Sequence, residues 1–514
     1  MARQRRSAGT VTWQPRAAPF GSRVRRSDRP PGPSPDAQRG TASSQRWLVL
    51  VCISMAQMMV ALDATVINIA LPSAQGALHA TNAERQWVIT AYTLALAGLL
   101  LLGGRLADTL GRRRTFLVGL VGFAGASAAG GAAPSFAALL VTRAAQGAFA
   151  ALLMPTALSL LALTFTESEE RAKAFAVFGA IAGTGGAMGL LLGGALTEYL
   201  SWRWCLYINV PIALAALLLG YRVLPSAPAA RGPRIDIAGA LLVAAGLVAL
   251  VYGLSDAASK GWSSAIALSS LAAGVVLLSF FLRLESRVKN PLVPLRILFE
   301  RNRGGACLAV GLTVVGMYGV FLLLTYDFQT VLHYSPVQAG IAFLPMSAAV
   351  LVSSTTISRR LLPRVPPRVL MVPGLLLAAA GMATLTLLQP GSSYVAHVLP
   401  GELLLGLGMG ALFVPAFSTA TVGVGPREAG VASALANTSQ QVGASLGTAL
   451  LNTVATTATA AYLATHLSSG NQHAQALVHG YATAAGWAAG ILLLAAVVVG
   501  ALVTTGRPEL PASA

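Results

Sequence analysis

The sequence predicts an all-α integral membrane protein with fourteen transmembrane helices. Three observations carry that expectation. Only 10% of the residues are charged and 55% are hydrophobic, whereas a soluble domain carries roughly 25% charged residues. The apolar residues fall into runs long enough to cross a bilayer. The basic residues cluster on alternate connections between those runs.

A helix needs about 20 apolar residues to cross the hydrocarbon core. Such runs cover residues 47–71, 86–104, 115–133, 137–163, 172–196, 204–224, 236–255 and 263–282. A second series covers 305–328, 337–357, 369–388, 397–421, 432–457 and 481–504. With a cytoplasmic N-terminus, 31 of the 35 Lys and Arg fall on the inner side. Only Arg85, Arg203 and Lys260 fall outside, and Arg143 lies in a span. This is the positive-inside pattern, and it places both termini in the cytoplasm. An odd error in the span count would put the later basic clusters outside.

The first 46 residues are rich in Arg, Pro, Ser and Gly. They read as a disordered basic tail rather than a signal peptide, because the first long apolar run begins only at Trp47. The tail is either an anchor on anionic lipid or a dispensable extension. Residues 506–514 form a short cytoplasmic tail.

Several function classes are disfavoured. The net charge of +18 follows from the loop clusters, so nucleic acid is not an expected partner. Cys52, Cys205 and Cys307 lie far apart in apolar runs, without the spacing of a metal site or a disulfide framework. No cofactor or metal is expected. There is no GxxxxGK[ST] loop for an ATP-driven pump, and no HExxH element or GxSxG with triad partners for an enzyme. The six histidines fall on or near the outer face, where a solvated loop position and a sensing role are both open readings.

The candidate functional residues lie in the spans. Asp63 sits in the first, and a carboxylate in lipid must face a cavity or a partner. The structural alternative is an Asp held by neighbouring helices for packing. After the second span comes Gly104-Arg105-Leu106-Ala107-Asp108-Thr109-Leu110-Gly111-Arg112-Arg113-Arg114. Its glycines, Gly104 and Gly111, permit a tight turn and close helix approach. Asp108 can pair with a base. This loop resembles the signature loop of the major facilitator superfamily.

Further elements follow in order. Arg143-Ala144-Ala145-Gln146-Gly147 resembles that superfamily's RxxqG element. Gly185, Gly189 and Gly193, with Gly194, form a small-residue stripe in the fifth span. It is similar to the antiporter motif ending GPxxGG, with Leu190 in place of the family proline. Trp202-Arg203-Trp204-Cys205-Leu206-Tyr207-Ile208-Asn209-Val210-Pro211 resembles a segment of the fourteen-helix drug:proton antiporter branch. So do Tyr334 to Gly340, Leu344-Pro345 and the stretch Gly406 to Leu450. The resemblance covers about residues 47–505.

The resemblance implies a major facilitator fold, with six-helix bundles over 47–224 and 305–505 and two extra helices over 225–304. It implies proton-coupled export of small lipophilic or cationic molecules by alternating access, with the proton gradient as energy source and a monomer as the unit. A dedicated exporter of one metabolite, such as a self-made antibiotic, and a non-transporting sensor are the alternatives on the same fold. The proton-coupling candidates are Asp63, Arg143, Glu402 and Asp327. Arg143 either tunes an acid for proton transfer or forms a structural pair. The loop residues Gly104, Asp108, Gly111, Arg112 and Arg113 are the expected conformational switch.

In the thirteenth span, Ser433, Asn437, Gln441 and Ser445 recur every four residues, with Thr448 and Asn452 beyond. This face lines a cavity or packs on another helix. Gln440 stands where the branch often has Arg. The substrate-cavity candidates are Asn68, Tyr92, Met154, Tyr326, Phe413, Asn437 and Gln441. The Ala, Gly and Arg content suggests a bacterial gene.

Overall fold

The computed structural model describes residues 35–506, except 82–83, 166, 226–235, 289–290, 293–294, 422–425 and 466–471. Most of the expected tail over 1–46, the end of the tail over 506–514 and the side chain of Asp108 therefore lie outside the described residues. Residues 1–45 form a unit of their own, of which only the helical backbone from Pro35 is described. All contacts below lie within Arg46–Ala514.

The described chain is helical. In order the long segments are α1 (Pro35–Ala77), α2 (Trp87–Leu110), α3 (Arg112–Gly131), α4 (Phe136–Thr164) and α5 (Ser168–Tyr199). They continue with α6 (Trp204–Val223), α7 (Ile237–Lys260), α8 (Ala265–Glu285), α9 (Arg301–Val331) and α10 (Pro336–Ser358). The last are α11 (Pro367–Leu385), α12 (Tyr394–Thr421), α13 (Pro426–Thr465) and α14 (Gln472–Leu502). Among the described residues, 10 segments are long and apolar enough to cross a membrane.

The other four long helices are α2, α3, α5 and α13. α2 runs into Arg105 and Asp108, and α3 opens on three arginines. α5 carries Glu169, Glu170, Arg171 and Lys173 in its first turns, and α13 carries the polar stripe. All four pack against apolar neighbours: α2 and α3 on α4, α5 on α10, and α13 on α9.

Helix packing in lipid gains little from apolar burial, because lipid tails are themselves apolar. It depends on close approach and on polar contacts between helices. α2 and α4 cross where Gly103 meets the Ala151 carbonyl and Gly147 meets the Tyr92 carbonyl. α11 and α12 cross where Gly374 would place a Cβ 2.8 Å from the Gly408 carbonyl oxygen.

One apolar core joins α1, α2, α3, α4 and α6 through residues such as Ile53, Phe116, Phe123 and Leu153. A larger one joins α9, α10, α11, α12 and α14, and extends onto the later half of α1 through Ile67, Ile69 and Leu71. The α7–α8 hairpin is more than an insertion in sequence: α7 packs against both α2 and α13.

Three segments contain π-helical turns, Asp327–Val331, Ser353–Ser358 and Tyr394–Val398. Such turns loosen the helix ladder locally and recur at functional sites.

Gly111 joins α2 to α3 with a φ of +92°. A Cβ is strained there, so Gly111→Ala should cost about 1–3 kcal/mol of stability. Thermal unfolding of the purified protein checks this: the variant should melt below the parent.

Candidate functional site

Five helices meet at Asp63. α1 places this carboxylate inside the first core, 1% exposed. Arg143 on α4 donates from Nη1 to Asp63 Oδ2 at 2.6 Å, and both side chains are 1% exposed. Gln146 lies one turn on along the same face of α4. Its Nε2 is 3.1 Å from Asp63 Oδ1 and 2.7 Å from Ser127 Oγ on α3. Asn209, where the chain enters the main part of α6, donates from Nδ2 to Asp63 Oδ1 at 2.8 Å.

Arg143 is held on its other sides too. Its Nε donates to the Val88 carbonyl on α2 at 3.1 Å, and its Nη1 lies 2.8 Å from Gln146 Oε1. Its guanidinium stands 4.5 Å from the centroid of the Tyr92 ring. Tyr92 Oη and Asn209 Oδ1 are buried without a hydrogen-bond partner.

Asp63 accepts from Arg143, Gln146 and Asn209, and these donors offset the desolvation of a buried charge. Of the expected site residues, Asp63, Arg143 and Tyr92 come together. Gln146, Asn209 and Ser127 were not singled out. The first two stand inside sequence elements quoted above, whereas nothing in the sequence marks Ser127.

The glycine stripe sets α5 on α1 at the same level. Gly185 faces Ala61, Gly189 faces Thr65 and the Leu62 carbonyl, and Gly193 faces Val66. Gly194 faces α10 instead: a Cβ there would lie 2.6 Å from the Pro336 carbonyl oxygen. The loop residues are placed differently from one another. Gly111 makes the turn, but Gly103 rather than Gly104 makes the close approach to α4, since a Cβ at Gly104 meets only Pro155 at 3.7 Å. Arg113 donates to the Tyr221 carbonyl on α6 and stacks over the Tyr221 ring. Arg112 opens α3 and is half-buried.

Glu402 and Asp327 stand apart from this network. Glu402 on α12 is fully buried, and its Oε1 has no partner. Its Oε2 lies 3.1 Å from Tyr394 Oη, which is itself 2.6 Å from the Ala342 carbonyl. A phenol has one proton, and a carbonyl can only accept. The single phenol proton therefore serves both the Ala342 carbonyl and the Glu402 carboxyl, the first at the shorter distance. Asp327 is buried in a π-helical turn, and its side chain makes no hydrogen bond or ion pair among the described residues.

The expected cavity residues occupy separate surroundings. Asn68 donates back to the Ala64 carbonyl of its own helix, and Asn437 does the same to Ser433. Tyr92 belongs to the ion-pair network, while Met154 packs against the first core. Phe413 packs against the second core, and Tyr326 lies under Arg85. Gln441 is half-buried on α13, and its carbonyl lies 3.1 Å from Ser445 Oγ. The polar stripe of α13 makes helix contacts over its later part. Ser445 donates to Thr93 on α2 at 2.6 Å, and Asn452 accepts from Arg85.

The helical architecture agrees with the chain's relatives. The sequence profile of the Major Facilitator Superfamily matches residues 53–448, and the chain belongs to that superfamily. It is a multi-pass membrane transporter related to antibiotic resistance and export proteins. It is 53% identical over 462 residues to the puromycin resistance protein pur8 of Streptomyces alboniger, covering 89% of this chain and 92% of that one. It is 41% identical over 433 residues to the cephamycin export protein CmcT of Amycolatopsis lactamdurans, covering 83% and 88%. Among solved structures, the POT family transporter PepTSo superposes with a TM-score of 0.64 at 15% identity, covering 89% of this chain and 97% of that one. A bacterial homologue of the human lysosomal transporter Spinster, in an inward-facing and unoccupied conformation, gives 0.63 at 17%, covering 88% and 96%. These two likenesses concern the fold alone.

Removing one partner of a buried pair strands the other, at a cost of about 3–5 kcal/mol. Arg143→Met alone should therefore lower the melting temperature of the purified protein more than Arg143→Met combined with Asp63→Asn. Equal melting temperatures for the two would show that the partners are not coupled.

Proposed function

We propose that this protein is a proton-coupled antiporter that exports a small organic antibiotic across the bacterial plasma membrane by alternating access. The single observation behind the coupling is the fully buried Asp63–Arg143 pair, whose charge balance changes with one proton. Asp63 is the proton-accepting acid of this reading. Glu402 and Asp327 are secondary acids, and Arg143 holds the counter-charge.

On this reading all fourteen long helices cross the membrane. Residues 47–224 and 305–505 form the two moving bundles, and α7 and α8 stand between them. Both termini are cytoplasmic, the protein acts as a monomer, and it carries out no covalent chemistry. The loop around Gly111 acts as the conformational switch. A binding region for the substrate is expected between the bundles near mid-membrane.

Several relatives carry the names of single antibiotics, puromycin, cephamycin and lincomycin among them. This favours a dedicated exporter. A broader range is the second reading, supported by 33% identity to the multidrug resistance protein Stp of Mycobacterium tuberculosis.

Efflux from cells expressing the protein separates these readings. Puromycin and a fluorescent lipophilic cation would be compared, at equal membrane levels of parent and Asp63→Asn. The expected outcome is puromycin efflux that stops with a proton uncoupler and with the substitution. Efflux that survives the uncoupler would refute proton coupling, and equal efflux of the unrelated cation would establish the broader range.

Orientation has its own check. The native cysteines Cys52, Cys205 and Cys307 are buried, so an introduced cysteine reports cleanly. A membrane-impermeant maleimide should label Ser393→Cys in intact cells, and should label Arg364→Cys only after the cells are opened.

A further inference from the structure

A second buried cation lies outside the Asp63 network. Arg85, in the connection between α1 and α2, is 3% exposed. Its Nε donates to Asn452 Oδ1 on α13 at 3.2 Å. Its guanidinium lies over the Tyr326 ring of α9, 3.8 Å from the centroid. Among the described residues no carboxylate is within ion-pair distance of it. Glu84, its neighbour in sequence, is turned toward Thr81, whose backbone N–H and hydroxyl donate to it at 2.9 and 2.8 Å. Those two bonds hold the Glu84 carboxyl below the usual carboxylate range.

Arg85 also forms part of the wall of a cavity of about 590 Å³. Gln75 of α1, His79 in the turn after it, Tyr326 of α9, and His473 and Tyr481 of α14 line it with Arg85. Pro72 and Leu477 add apolar surface, and no acidic side chain is among the lining residues. The volume is in the range of small-molecule sites, roughly 300–1,000 Å³.

The chemistry of the wall selects an occupant. A guanidinium presents five N–H donors in a planar fork. Here Nε is used by Asn452, the phenols of Tyr326 and Tyr481 lie beside the guanidinium, and no carboxylate is paired with it among the described residues. The fork matches the two oxygens of a carboxylate. The imidazoles of His79 and His473 can donate further bonds, while the Tyr326 hydroxyl is already given to Gln75, and Pro72 and Leu477 suit an apolar body. We propose that this cavity is a binding site for an organic carboxylate, anchored by Arg85. An occupant touches α1, α9 and α14 together, and Arg85 ties α13 to the same point. Binding therefore favours the helix arrangement seen in this structure over one in which these helices part.

The site does not depend on the coupling ion or on the orientation of the chain, so it is testable on the purified full-length protein in detergent. Benzoate is the probe, and benzamide is its uncharged counterpart of the same shape. Titration calorimetry should show saturable binding of benzoate and none of benzamide. Losing a charge-assisted pair should weaken benzoate binding at least about tenfold in Arg85→Gln.

Because Arg85 also holds Asn452, a second variant leaves that contact in place. A Cβ at Gly76 meets nothing within 4 Å, and Gly76 lines the cavity. Gly76→Phe should fill the cavity and weaken benzoate to a similar degree. Absence of saturable benzoate binding to the parent overturns the proposal. So does equal binding of benzoate and benzamide, or benzoate affinity unchanged in both variants.

Discussion

The ion pair between Asp63 and Arg143 is the contact on which the surrounding helices depend. A carboxylate cannot be left bare in a lipid-spanning helix, so α1 must lie where other helices can supply donors. α4 supplies two of them one turn apart, α6 supplies the third, and α3 and α2 hold those donors in turn. Parting any of these helices exposes a charge to a medium that cannot solvate it.

The neighbouring helices reach that point because their surfaces are small. Without a hydrophobic force between helices in lipid, close backbone approach becomes a main source of attraction. α5 lies on α1 through Gly185, Gly189 and Gly193, across the turns that flank Asp63. Its next glycine, Gly194, faces the start of α10. α5 thus touches both α1 and α10, and α10 packs against α12, the helix of Glu402. Leu190, at the position of the family proline, leaves α5 unbroken from Ser168 to Tyr199.

The ionisable groups elsewhere in the molecule follow a different logic. Asp63 has three donors, whereas Glu402 has one phenol as its neighbour and Asp327 has no partner among the described residues. Buried acids without cations are cheapest as neutral acids. Arg85 is their opposite, a guanidinium held by an amide and a ring and open to a cavity. Charge is thus balanced at Asp63, whereas the cation at Tyr326 has no carboxylate paired with it among the described residues.

Much of this was readable from the chain. The apolar run over 137–163 became α4 over Phe136–Thr164, and the run over 204–224 became α6 over Trp204–Val223. Asp63 and Arg143 stood out because charges in lipid are rare. Other features were not readable. Gln146 and Asn209 are ordinary amides in sequence, and only the meeting of α1, α4 and α6 makes them ligands of one carboxylate. The α13 stripe was compatible with a cavity or a neighbour; at Ser445 it meets Thr93 of α2, and at Asn452 it meets Arg85 in the connection before α2. The sequence by itself determined which segments are helices in lipid, because a bilayer demands internally bonded backbone and apolar surface of a set length. The tertiary structure decided which side chains meet, because that depends on helix rotation and separation, which are set by contacts between residues as far apart in the chain as Arg85 and Asn452.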